Sequence, residues 1–156
     1  MNKTPLGRTM RAVAALALAA SSAACVTTAT DQGDDGDAFA RMLAGRSAIE
    51  GKALEKKLAE TAAYPLGSKE NPVRAEGPAG QRAYLSRLRC ADLKRPQFYR
   101  SGSAGVSPYG NIVDVYIVTC EGSEPAANEI YIDMYHRGHS EEQAVPGYGI
   151  VGGRES

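Results

Sequence analysis

Residues 109–139 read YGNIVDVYIVTCEGSEPAANEIYIDMYHRGH, and their pattern decides the expected fold. Residues 112–120 are rich in β-branched side chains and apolar on both faces, which predicts a central strand covered on both sides. Residues 129–136 alternate apolar and polar side chains, as a half-buried antiparallel strand does. The stretch therefore predicts two strands joined by a loop at residues 121–128.

Upstream of this pair, a helical pattern precedes weaker strand patterns. Residues 37–63 repeat apolar positions at three- and four-residue steps, which predicts a helix that can break at Gly45 or Gly51. Residues 68–80 are rich in Pro, Gly and charge and are expected to be irregular. Residues 82–90 are a strand candidate, with a short helix as the alternative.

The remaining segments complete a small domain. Residues 97–100 are expected to form a short strand, and residues 101–110 a loop because they are rich in Gly and Ser. The sequence therefore predicts one α+β domain over residues 64–152, preceded by the helix at 37–63. Its sheet is expected to be mainly antiparallel, with three or four strands and one disulfide.

The first residues have the pattern of a secretory signal. Basic residues, a short apolar run and small residues follow one another in residues 1–24, and the apolar run is too short to span a bilayer. The sequence SAAC at residues 22–25 resembles the lipobox of bacterial lipoproteins, with Ser where Leu is usual. That resemblance implies lipidation of Cys25; ordinary cleavage at a nearby small residue is the alternative. Residues 25–36 are polar and are expected to form a flexible tether.

Three cysteines support this assignment. If Cys25 carries lipid, Cys90 and Cys120 are left to pair. Both end strand candidates, and an exported protein meets an oxidising compartment where disulfides persist. We therefore expect a structural Cys90–Cys120 bridge; a redox pair would favour the C-x-x-C spacing, which is absent here.

Charge and targeting restrict the expected partners. The chain has 18 basic and 18 acidic residues; without its three basic leader residues the balance is mildly acidic, which argues against nucleic acid. The expected location is the bacterial cell envelope, with a lipid anchor on the periplasmic side of the outer membrane. A soluble periplasmic or secreted protein is the alternative. The expected partners are then the membrane, through the lipid, and a protein of the cell envelope.

One group of residues could carry chemistry. Asp133, His136, His139 and Glu141 have the side chains of a zinc, copper or nickel site. However, Asp133 points away from His136 as long as the strand stays regular. The alternative is polar residues at the end of a strand. A second unusual residue is Asp114, a carboxylate within an apolar strand, which is expected to pair with an arginine.

The segments GSKENPVR (67–74), LRC (88–90) and YIDMYH (131–136) resemble small uncharacterised exported proteins of Gram-negative bacteria. That resemblance implies no activity. The expected function is a non-enzymatic, envelope-tethered binding or structural module without a cofactor. The alternative is a small metal-binding protein or metal-dependent enzyme that uses His136 and His139.

Overall fold

The computed structural model describes residues 34–152, so the predicted signal segment, Cys25 and the start of the tether lie outside the described residues. Within this range the helices are α1 (Asp34–Leu43), α2 (Gly51–Thr61) and α3 (Gly77–Arg87). The strands are β1 (Val73–Glu76), β2 (Leu88–Arg89), β3 (Gln97–Val106), β4 (Ile112–Thr119), β5 (Ala127–Asp133), β6 (Tyr135–Ser140) and β7 (Gly149–Ile150). None of the described helices combines the length and apolarity needed to cross a bilayer.

Five of the strands form one mixed sheet in the order β3-β4-β5-β1-β6, and β2 pairs with β7 separately. Strands β3, β4 and β5 are antiparallel neighbours. Strand β1 runs parallel to β5, with Val73 opposite Ile132, and antiparallel to β6. A strand from early in the chain thus lies between two strands from its end.

The predicted fold class is wrong in two respects. The described residues contain three helices instead of one, and their main sheet has five strands in mixed orientation instead of three or four antiparallel ones. Besides β6, which was not separated from β5, the missed strand is β1, within residues expected to be irregular. It has only four residues, and its burial depends on neighbours about 60 positions away in the sequence, as with Val73 and Ile132.

The helical predictions also change. The expected helix at residues 37–63 is two helices, α1 and α2, and Gly45 and Gly51 adopt positive φ at the break. Residues 82–90, favoured as a strand, are mostly helix α3, because Pro78 lies in the first turn of the helix and its buried residues, Gln81, Tyr84 and Leu85, follow helical spacing. Leu88, in β2, is fully buried as well.

The core lies between α3 and the sheet. Buried side chains from α3, from β4 and β5 and from the segment before β7 form one apolar cluster that includes Leu85, Val118, Ile132 and Val145. The expected Cys90–Cys120 disulfide is confirmed and lies in this cluster. It links the end of β2 to the end of β4.

Helices α1 and α2 and the loop between them, residues 34–61, form an N-terminal arm that is held to the sheet largely by polar contacts. The backbone N–H of Ala48 donates to Asn111 Oδ1 at 2.7 Å. Thr61, the buried residue of α2, lies with its hydroxyl 3.2 Å from that of Tyr109. The loop between β3 and β4 thus positions the arm.

Candidate functional site

The two histidines lie on a bulge in β6. Ala75 of β1 pairs with Ser140, but the next residue, Glu76, pairs with Tyr135, so residues 136–139 have no partner in β1. Gly138 adopts a φ of 74° at the turn of this bulge, a conformation that glycine favours. The antiparallel strand predicted at residues 129–136 is confirmed for residues 129–133, which pair with β4, but its predicted end is wrong. It ends at Asp133, and a second strand starts two residues later.

The bulge forms one wall of a cavity of about 450 Å³, which we call the bulge cavity. The arm forms the facing wall, and the side chain of Arg74 in β1 also lines the cavity. The lining residues are Arg46, Ser47, Glu50, Leu54, Arg74, Tyr135, His136, Arg137 and His139. Three distant parts of the chain thus meet at this site.

The bulge cavity is positively charged. It has three arginines against one carboxylate, Glu50, which already accepts hydrogen bonds from Arg46 at 2.9 Å and from Arg41 at 3.2 Å. Among the described residues, neither Arg74 nor Arg137 takes part in an ion pair. Their guanidinium groups are available to an anionic ligand.

A buried hydrogen-bond network lies next to the bulge, with the Asp133 carboxylate at its centre. Ser107 Oγ donates to Asp133 Oδ2 at 2.7 Å, and Asn111 Nδ2 donates to the same oxygen at 2.9 Å. The backbone N–H of Tyr135 donates to Asp133 Oδ1 at 3.1 Å. Asn111 Nδ2 also lies 3.2 Å from Ser47 Oγ, which connects the network to the arm.

This environment keeps Asp133 ionised. Burial alone would raise the pKa of Asp133, but nearby His136 and the hydrogen bonds from Ser107 and Asn111 outweigh burial and lower it. The carboxylate is fully buried, so its negative charge depends on these neighbours.

His136 is buried beside the Asp133 carboxylate. Its side chain is 3% exposed, and its Nε2 lies 3.4 Å from Asp133 Oδ2, too far for a well-formed hydrogen bond. This buried Nε2 has no hydrogen-bond partner among the described residues. The Tyr109 ring packs edge-on against the imidazole, with centroids 5.1 Å apart. The imidazole is thus held between the Asp133 carboxylate and the Tyr109 ring.

His139 and Glu141 form a second, more exposed pair. His139 Nε2 lies 3.5 Å from Glu141 Oε2 and also has no hydrogen-bond partner among residues 34–152. Partial burial opposes the ionisation of Glu141, but His139 and the backbone N–H groups of Gln143 and Glu142 lower its pKa overall. Glu141 is therefore a carboxylate at neutral pH.

The four predicted metal ligands form these two separate pairs. Asp133 lies beside His136 and Glu141 beside His139. Across the described part of the chain, no group of three or more His, Cys, Asp or Glu side chains has the geometry to hold a metal ion. The bulge brings each histidine to its own carboxylate.

The serines near His136 bond to other groups. Ser107 donates to Asp133, and Ser47 accepts from Asn111, so each hydroxyl is oriented by a residue other than the histidine. A nucleophile activated by a base would need its hydroxyl within hydrogen-bond reach of the imidazole.

Asp114 behaves as expected. Arg100 Nη2 donates to its Oδ1 at 2.7 Å, and Gln81 Nε2 donates to its Oδ2 at 3.0 Å, so the predicted pairing with an arginine is confirmed.

The sequence did not single out Arg74 or Arg137 as residues of the site. The apolar–charged alternation VRAE at residues 73–76 indicates a strand there but spans only four residues and does not point to Arg74 as a site residue.

No protein-family model, curated protein or solved structure matches this chain.

Proposed function

We propose that the protein is an exported, lipid-anchored, non-enzymatic binding module that takes a small anionic ligand in the bulge cavity. The observation that carries this proposal is a cavity in which Arg74 and Arg137 have no ion-pair partner among the described residues, while the one lining carboxylate, Glu50, is already paired with Arg41 and Arg46. The cavity volume of about 450 Å³ is in the range of small-molecule sites.

The chemistry of the lining residues fits an anion. A guanidinium group binds a carboxylate or phosphate with two parallel hydrogen bonds, which gives orientation as well as affinity. Leu54 and Tyr135 add apolar surface beside the arginines. Because the arm and the bulge form opposite walls, a ligand there contacts both and holds them together.

The envelope location rests on the signal pattern, the lipobox-like SAAC and the Cys90–Cys120 bridge, which is typical of oxidising compartments. The cellular partners in this proposal are the membrane, through the lipid, and a ligand of the cell envelope.

Replacing Arg74 or Arg137 with Gln is expected to weaken the binding of inorganic phosphate and acetate by about tenfold, the scale of one lost charge-assisted hydrogen bond. Titration of the mature chain at pH 7, followed by amide chemical shifts, measures this. The largest shifts should fall on residues 46–47 and 135–139. The control is Arg95→Gln, an exposed arginine outside the cavity. Shifts spread over the whole surface, or an equal loss for the control, would contradict the proposal.

Replacing Cys25 with Ser is expected to move the protein from the membrane fraction to the soluble periplasm, because the thiol is the acceptor for the lipid. Fractionation with immunodetection measures the distribution. The matched control is Thr28→Ala, which removes a hydroxyl outside the SAAC segment and leaves the thiol in place. A protein that stays in the membrane fraction without Cys25 is held there by something other than this lipid.

A further inference from the structure

A second cavity adjoins the bulge cavity. It has a volume of about 460 Å³ and lies between α3 and β6. Arg74 and His139 line both cavities, so the two meet at these side chains. The other lining residues are Ala75, Glu76, Ala79, Gly80, Ala83, Tyr84, Ser140 and Glu141.

The charge changes sign from the first cavity to the second. The bulge cavity adds Arg137 to the shared Arg74, whereas the second cavity adds two carboxylates, Glu76 and Glu141. Glu141 is ionised, since its pKa is lowered by His139 and by backbone N–H groups despite the opposing effect of burial. Its Oε1 accepts from the N–H groups of Glu142 and Gln143, which orients the carboxylate.

The wall of the second cavity formed by α3 is lined with small side chains. Ala79, Gly80 and Ala83 follow one another along the helix, and Tyr84 lies beside them. Small residues leave room for the body of a ligand, and the polar groups are concentrated on the opposite, β6 side. A ligand that occupies both cavities therefore has opposite charges at its ends and a compact, partly apolar middle.

We infer that the ligand is a short peptide with free termini, whose carboxylate binds at Arg74 and Arg137 and whose ammonium group binds at Glu76 and Glu141. This inference rests on the proposed function, because it places the anionic end of the ligand in the bulge cavity. Charge complementarity then fixes the direction of the peptide.

The test compares three probes with the mature chain by calorimetry at pH 7: trialanine, N-acetyl-trialanine and trialanine amide. We expect trialanine to bind most tightly and each blocked peptide to bind at least about tenfold more weakly, because each lacks one charged end. Glu141→Gln and Glu76→Gln should weaken the binding of trialanine but leave that of N-acetyl-trialanine unchanged. Glu142→Gln is the matched control, since its exposed side chain is outside both cavities.

The two proposals fail in different ways. If phosphate and acetate bind in the bulge cavity but acetylation of the peptide has no effect, the peptide inference is wrong and the anion site stands. If none of the anions or peptides binds there, the proposed function is wrong and the inference falls with it. Glu76 is exposed on β1, so Glu76→Gln provides a folded variant even if Glu141→Gln alters the turn after β6.

Discussion

Replacing Asp133 with Ala is expected to lower the free energy of unfolding by roughly 3–5 kcal/mol, the cost of removing one partner from a buried charged network. The carboxylate accepts hydrogen bonds from Ser107, Asn111 and the backbone of Tyr135, and all of these donors lose their acceptor. Because Asn111 also holds Ala48, the arm should loosen as well. Urea unfolding measures the first effect, and amide exchange of α2 the second.

The matched control is Glu129→Ala, which removes a carboxylate from an exposed position of the same strand, β5. A surface carboxylate contributes little, so its change should stay under about 1 kcal/mol. Asp133→Asn keeps the shape and one acceptor oxygen and should fall between the two. Equal losses for Asp133→Ala and Glu129→Ala would show that the buried network does not stabilise the fold.

The stabilising contribution of the Asp133 carboxylate is expected to decrease at low pH. The pKa of Asp133 is lower in the folded protein than in the unfolded chain, so its stabilising contribution is present above the unfolded value, near 3.8. The contribution is lost as the pH falls through the folded pKa. The difference in stability between the wild type and Asp133→Asn should therefore be constant near neutral pH and shrink below about pH 4.

The double replacement of Cys90 and Cys120 with Ala is expected to lower the free energy of unfolding by roughly 3–4 kcal/mol, because the 30-residue separation of the bridge restricts the unfolded chain. In a domain of this size, that corresponds to a fall in Tm on the order of 10–20 °C. Both cysteines are buried in the core cluster, so alanine, which adds no polar group, is the appropriate replacement. Thermal unfolding followed by circular dichroism measures the change.

Reduction provides an independent control for this prediction. A reductant should lower the Tm of the wild type to about the value of the double variant and leave the variant itself unchanged. Peptide mapping under non-reducing conditions should find Cys90 linked to Cys120. Two free thiols in protein isolated from the periplasm would contradict the assignment, as would a variant as stable as the wild type.

Local patterns predicted the segments that bury a continuous apolar surface. Strand β4 was expected at residues 112–120 and ends one residue earlier, because its β-branched residues favour a covered strand wherever the neighbours lie. The pairing of Asp114 with an arginine followed from the cost of burying an isolated charge. The disulfide followed from cysteine number and from the strand ends.

The candidate site was predicted only in part. The sequence singled out His136, His139 and the carboxylates beside them, but it grouped them as ligands of one metal. It gave no reason to add Arg74, because the segment around this residue looked irregular, and no reason to add Arg46 from the arm. These residues meet only because β1 lies next to β6 and the arm lies over the bulge.

By itself, the sequence determined the confirmed Cys90–Cys120 bridge and the interior strand β4, and it predicted an export signal. These features depend on residue type and on spacing along the chain. Only the tertiary structure decided that β1 lies parallel to β5, and that its pairing with β6 leaves residues 136–139 as a bulge. The physical reason is that strand register is set by hydrogen bonds and packing between distant segments, which a local pattern does not encode. The basic cavity and its neighbouring carboxylates are consequences of that register.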